Sequence, residues 1–86
     1  MPPSQIRFAR SASRHRISRE RSAYVIAHCG LPQEDEGVIL YLGDDWNGVP
    51  LEVAAVERGD DLVVVHAMRL RPKFRDLYTE ALPWRR

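Results

Sequence analysis

Cysteine is nearly absent from this 86-residue chain: Cys29 stands alone, which excludes an intrachain disulfide framework and any zinc site built from cysteine pairs. Glycine is scarce too, and Gly43 and Gly48 are isolated, with no Walker-type or dinucleotide motif around either; nucleotide cofactors are not expected. Long apolar runs are missing. The longest uncharged segment, Ser22 to Gln33, contains His28, Gly30 and Pro32 and falls short of the ~20 apolar residues of a membrane span. The N-terminal segment has Arg7, Arg10, Arg14 and Arg16 but no apolar stretch of ~7–15 residues behind them, so a signal peptide is not expected and the cytoplasm is the expected compartment. No two histidines have a ligand spacing such as i, i+4 on one helix, and metal or other cofactors are not expected.

What is present suits one small soluble domain spanning 1–86, with residues 1–5 as a flexible tail: 44% of residues are apolar and 29% charged, enough for one modest core. The net charge of +1 conceals a segregation along the chain. Residues 1–22 carry six arginines against Glu20, or +5; residues 34–61 carry nine acids against Arg58, or −8; residues 62–86 carry six cations against Asp76 and Glu80, or +4. Two basic segments bracket an acidic middle. If folding joins the two ends, they form a basic face able to attract a phosphate backbone; otherwise they are solvated element faces.

Periodicity places these charges. Ile6, Phe8, Ala9, Ala12 and Ile17 have a loose helical spacing, and Ser18 is an N-cap for a second helix reaching about Cys29, stopped by Gly30 and Pro32. QEDEG reads as a loop. GVILYLG, PLEVAAVE and LVVVHA read as three strands of a meander, joined by turns at DDWNG and RGDD. Leu51, Val53 and Ala55 should share one face of the middle strand, and Glu52, Ala54 and Val56 the other. Phe74, Leu77, Tyr78, Ala81 and Leu82 recur at the spacing of one helical face, between Pro72 and Pro83. The expected fold is α+β: two N-terminal helices, a small antiparallel sheet of about three strands, and a C-terminal helix.

The chemistry this frame offers comes from His, Arg, Lys, Tyr and one strand-borne carboxylate. Those groups suffice for RNA cleavage without metal, because RNA carries its own nucleophile, the 2′-hydroxyl, and the protein need only move protons and neutralise phosphorane charge. His66 and His15 are candidates for proton transfer, since histidine changes charge between about pH 5 and 8. Arg71 neutralises phosphate, and Glu52 serves as base or orients a histidine. Tyr78 is a candidate for the site edge, and Arg14, Arg16, Arg69 and Lys73 are candidates for binding phosphate. Each has a plainer reading beside it: His66 as a hydrogen-bonded strand end, His15 on a solvated helix, Glu52 in a salt bridge, Tyr78 in the core, the cations on exposed faces. Trp46 is either a base-stacking platform or a partly buried turn residue.

RHRISRERSAYVI, ILYLGDDWNGVPLEV and VVVHAMRLRPKFRDLY together resemble the BrnT-like branch of the RelE/ParE-like superfamily of bacterial type II toxin–antitoxin toxins: a basic-His entry into a helix, a strand, glycine turn and strand, and a small-residue-plus-Arg junction into a helix ending in Tyr. The similarity covers roughly residues 6–82. It implies a RelE/ParE-like, BrnT-like microbial ribonuclease fold and a cytoplasmic ribonuclease that acts on RNA, mRNA in particular, without metal. It also implies arrest of translation and growth, and neutralisation by a cognate antitoxin protein in a hetero-oligomer, with no membrane partner. On that resemblance the basic-His element falls on His15 and Arg16, the junction on His66, Ala67 and Met68 with Arg71 after it, and the helix Tyr on Tyr78. The departure is Met68, where BrnT-like proteins tend to have Arg; Arg69 or Arg71 then takes its place. Two other functions stay open: inhibition of a protein target such as a topoisomerase, and RNA binding without cleavage.

Overall fold

The computed structural model describes residues 5–81; residues 1–4 of the expected 1–5 tail, Leu82 of the expected last helix and Pro83 beyond its end lie outside them, while Gln5 is described and its carbonyl accepts from Leu62 N–H. Hairpin chemistry builds most of the molecule. Strands β2 (Gln33–Asp35) and β3 (Val38–Asp44) are joined by Glu36 and Gly37, at φ 52° and 84°, the two positive values of a type I′ turn, which matches the twist of the strands it joins. β4 (Pro50–Arg58) and β5 (Asp61–Arg69) meet through Gly59, at φ 61°, and Asp60. Between β3 and β4 the Asp45 carboxylate accepts backbone N–H bonds from Asn47 (2.8 Å) and Val49 (2.9 Å), an Asx-type closure, and takes a third from Arg21 Nε (2.8 Å).

These four strands are antiparallel neighbours, and β1 (Ile6–Phe8) adds to β5 in parallel, giving the order β1-β5-β4-β3-β2. Helix α1 (Arg19–His28) starts at Ser18, whose hydroxyl accepts from Arg21 N–H, and packs on one face of the sheet. There Val25 and Ile17 meet Tyr41, Leu51, Val53, Ala55, Leu62, Val64 and Ala67. The opposite face carries Leu42, Glu52 and Ala54, all buried, and is partly covered by a 3-10 turn (Pro72–Phe74) running into helix α2 (Arg75–Ala81). Tyr78 of α2 donates to Asp44 (2.6 Å), and Ala81 O accepts from Gly30 N–H. Fully burying each of Leu42, Leu51, Val53 and Val64 contributes roughly 1.5–3 kcal/mol. A carboxylate at Glu52 in the same layer costs free energy unless its oxygens are hydrogen-bonded.

The expectation of two N-terminal helices and a three-stranded sheet in a RelE/ParE-like, BrnT-like fold is corrected: the sheet is mixed and five-stranded, and α1 is the one N-terminal α-helix of the described residues. Ile6 and Phe8 bury alternately as a strand against Leu62 and Val64. Beyond β1 the chain makes only a 3-10 turn, Arg10–Ser13, because short polar side chains divert the backbone from a helix: Ser13 Oγ donates to Arg10 O (2.9 Å) and Ser11 Oγ to Val65 O (2.6 Å). Arg16, at φ 60°, stops any continuation into α1. The acidic QED, which reads as a loop in the sequence, forms an edge strand because the Glu36–Gly37 turn folds it back onto β3. The three meander strands, the two faces of β4 and the Ser18 cap are as expected.

One irregularity sets the face of the sheet to which the end of β5 presents His66. Ala55 pairs with Val64 but Ala54 pairs with His66, so Val65 is an extra residue in a bulge. A bulge re-aims side chains. Without it His66 would lie opposite Val53 on the α1 face; with it His66 joins Ala54 and Glu52.

Candidate active site

Glu52 is fully buried and both of its carboxylate oxygens have hydrogen-bond donors. Oε1 accepts from the Arg71 backbone N–H (2.9 Å), and Oε2 accepts from Arg71 Nε (3.0 Å), Arg71 Nη2 (2.6 Å) and His66 Nε2 (3.1 Å). Burial pushes the Glu52 carboxyl up, but the hydrogen bonds from the Arg71 side chain and backbone and from His66, together with the Arg71 charge, outweigh it and hold the group below the usual carboxylate value. Glu52 is therefore held as the anion at neutral pH, and its bonds raise Arg71 further above its ordinary value. Among the described residues no buried side-chain polar atom is left without a partner.

The anion fixes its two neighbours. Arg71 lies just past the end of β5, pinned by its backbone N–H, with its side chain 41% exposed and its guanidinium 5.4 Å from the Phe74 ring centre. One edge of the guanidinium faces Glu52 and the remainder faces solvent. His66, 29% exposed, gives Nε2–H to Glu52, which in the neutral ring leaves Nδ1 as a proton acceptor. His15, in the segment after the 3-10 turn, meets His66 edge-on, with ring centres 5.8 Å apart and planes at 70°. Residues 15, 52, 66 and 71 thus form one cluster from three separate stretches of chain.

Glu52, His66 and Arg71 of this cluster line one end of an open cleft of about 590 Å³. Leu40 and Ala54 form its floor, Phe74 and Leu77 one side, and the acidic β2–β3 turn region the far lip. Ala54, with the smallest side chain of the lining, sits between the Glu52 cluster and Leu40.

The remaining candidates are scattered. Tyr78 sits outside the cleft lining, with burial first and then its bond to Asp44 pushing the phenol up to about 12; it is a neutral donor tied to a strand. Arg69 pairs with Leu51 and Met68 with Glu52, so alternation turns Arg69 to the α1 face and sets Met68 beside the carboxylate. Arg71 is the arginine that reaches the cluster. Lys73 lies over Phe74 (5.0 Å) at the rim, and Arg14 and Arg16 are exposed on either side of His15. Trp46 is exposed and edge-on to Tyr24 (5.7 Å), on which His28 stacks (4.0 Å); this aromatic group is apart from the cleft. Sequence reasoning missed Ser11, which holds the bulge carbonyl, and the Asp45–Arg21 pair. Asp before Trp-Asn-Gly is a turn signal that could have exposed the latter.

Among the described residues no three His, Cys, Asp or Glu side chains are grouped as metal ligands would be, and no helix is long and apolar enough to cross a membrane. In comparison with known proteins, no family model, no curated protein and no solved structure matches the chain.

Proposed function

We propose that this chain is an endoribonuclease that uses the RNA 2′-hydroxyl as nucleophile and its own side chains for proton transfer. The observation that carries the reading is the buried Glu52 anion bonded at once to His66 and Arg71, which line a cleft, with the His15 ring against His66. His66 Nδ1 takes the 2′-hydroxyl proton as the 2′ oxygen attacks phosphorus. The solvent-facing part of Arg71 neutralises the phosphorane, and protonated His15 gives its proton to the departing 5′ oxygen. The products are a 2′,3′-cyclic phosphate and a 5′-hydroxyl. Glu52 touches no substrate in this scheme; it is a positioning residue that fixes the His66 tautomer and the Arg71 fork. Arg14, Arg16 and Lys73 supply phosphate contacts around it.

The resemblance in the basic-His and strand-to-helix segments supports placing this activity in a type II toxin, cutting mRNA in the cytoplasm, arresting growth, and held in check by a cognate antitoxin. A non-nucleolytic reading, in which the chain inhibits a protein target, draws on the exposed Trp46 beside Tyr24.

Purified protein is to be incubated with an RNA oligonucleotide and its all-2′-deoxy counterpart, and induced expression followed by growth and total RNA integrity. Cleavage of the RNA alone, leaving cyclic phosphate ends, is expected, with His66→Ala slower by roughly 10²–10⁴-fold. Cleavage of both oligonucleotides would rule out the 2′-hydroxyl route. Growth arrest with intact RNA would transfer the proposal to the protein-inhibitor reading, and RNA binding without cleavage to a binding module.

A further inference from the structure

We infer that the cleft next to the His66 cluster holds one nucleobase of the RNA and selects guanine, with Asp35 and Gln33 reading its edge; the inference rests on the ribonuclease reading and names the specificity of that same site. The cleft has two unlike ends. Arg71 and His66 close one, while Glu34, Asp35 and Glu36 line the other, so a second phosphate is repelled from the far lip and the group that enters beyond the scissile phosphate is uncharged. Between the ends the surface is apolar, with Leu40, Ala54, Phe74 and Leu77 in reach and Val38 37% exposed. Its volume is in the range of small-ligand clefts, and a planar base covers such a surface with its face while presenting its edge to the lip.

Strand register says which lip residues do the reading. Gln33 pairs with Leu40 and Asp35 with Val38, whereas Glu34 pairs with Ile39, whose side chain packs on the α1 side. Gln33 and Asp35 therefore share the cleft face, and the type I′ turn at Glu36–Gly37 fixes their height. An ionised carboxylate only accepts. Guanine presents two adjacent donors, N1–H and the 2-amino group, which match its two oxygens. Adenine and cytosine offer one amino group beside an acceptor nitrogen, and uracil one N–H between two carbonyls. The Gln33 amide, whose present bond to Leu31 O is long at 3.4 Å and readily exchanged, donates to the guanine carbonyl.

The test is cleavage of a random-sequence RNA pool followed by sequencing of the new ends. Guanine is expected at one fixed position beside the cut, with a preference of about tenfold or more, the discrimination of one good bidentate pair. Asp35→Asn, which exchanges an acceptor for a donor at an exposed position, should lower that preference about tenfold. Glu20→Gln, an equal loss of charge in the first turn of α1, should leave it in place. Cleavage without base preference, or a preference that survives Asp35→Asn, would overturn the guanine site while the ribonuclease reading stands. If the wild type cuts no RNA, the ribonuclease reading falls and the cleft is judged by binding. Guanosine monophosphate is then compared with the adenosine, cytidine and uridine monophosphates by amide NMR shifts over residues 33–40. Guanine-selective shifts lost in Asp35→Asn would keep the base site; equal shifts, or none, would remove it.

Discussion

Glu52 concentrates both the cost and the use of polarity in this molecule. Its carboxyl is held below the ordinary value of 4.5, so its stabilising contribution is complete above about pH 4.5 and is lost as pH falls through the folded-state value. Urea unfolding at a series of pH values should show stability level from about pH 5 to 7 and declining below. Asp45 adds to the decline: burial pushes it up, but bonds from Val49, Arg21 and Asn47 bring it below its ordinary value. Glu52→Gln should remove its share of the decline and cost roughly 2–3 kcal/mol at neutral pH, less than a fully buried pair because Arg71 is part-exposed. The same reasoning makes Arg71→Lys a better probe of phosphate binding than Arg71→Ala, which strands a buried anion. Tyr78 titrates in the opposite sense. Its phenol is pushed up to about 12, so its contribution persists at neutral pH and is lost between about pH 10, where the unfolded chain ionises, and 12. Difference absorbance titration of wild type against Tyr78→Phe should isolate that ionisation, with about 1 kcal/mol lost at neutral pH and RNA cleavage retained.

At the level of elements, the β5 bulge turns His66 from the core-facing side to the cleft face, and the bulge carbonyl is held by a residue from the other end of the chain, Ser11. Ser11→Ala should cost about 1 kcal/mol in urea unfolding and lower cleavage by loosening His66, whereas Ser13→Ala, whose hydroxyl bonds only within its own turn, should lower stability without that selective effect on rate. The same locality explains which parts of the molecule are legible in the sequence. Ser18, the Asp45-to-Gly48 turn, the alternation of β4 and the proline-led α2 declare themselves through neighbours a few residues away. β1 has three residues and its partner lies more than fifty positions on, so nothing local separates Ile-Arg-Phe from a helical start. β2 is three polar residues at an edge, legible only through the positive-φ demand of Glu36–Gly37, and Glu is an unusual occupant of such a turn. Glu52, His66 and Arg71 are recognisable as candidates by residue type. Their convergence depends on a one-residue bulge, which no periodicity announces.

For the whole molecule, sheet order turns the linear segregation of charge into a spatial one. The basic N-terminal segment attaches through β1 to β5, and the acidic β2 hairpin lies at the opposite edge. RNA affinity measured at several salt concentrations should fall with a slope of about 0.7 per neutralised phosphate on a log–log plot, and Arg14→Ala and Arg16→Ala should each reduce that slope by roughly one such step. The parallel pairing of Ile6 with Leu62 also governs timing. The hairpins from β2 to β5 close short loops and can form early, whereas docking of β1 must close a loop of more than fifty residues and waits for β5 to exist. His15 arrives at His66 only with that late step. A chain interrupted during synthesis before residue 66 has neither His66 nor Arg71, and assembly of the cluster reports that the chain has been made at least through Arg71 and has docked β1.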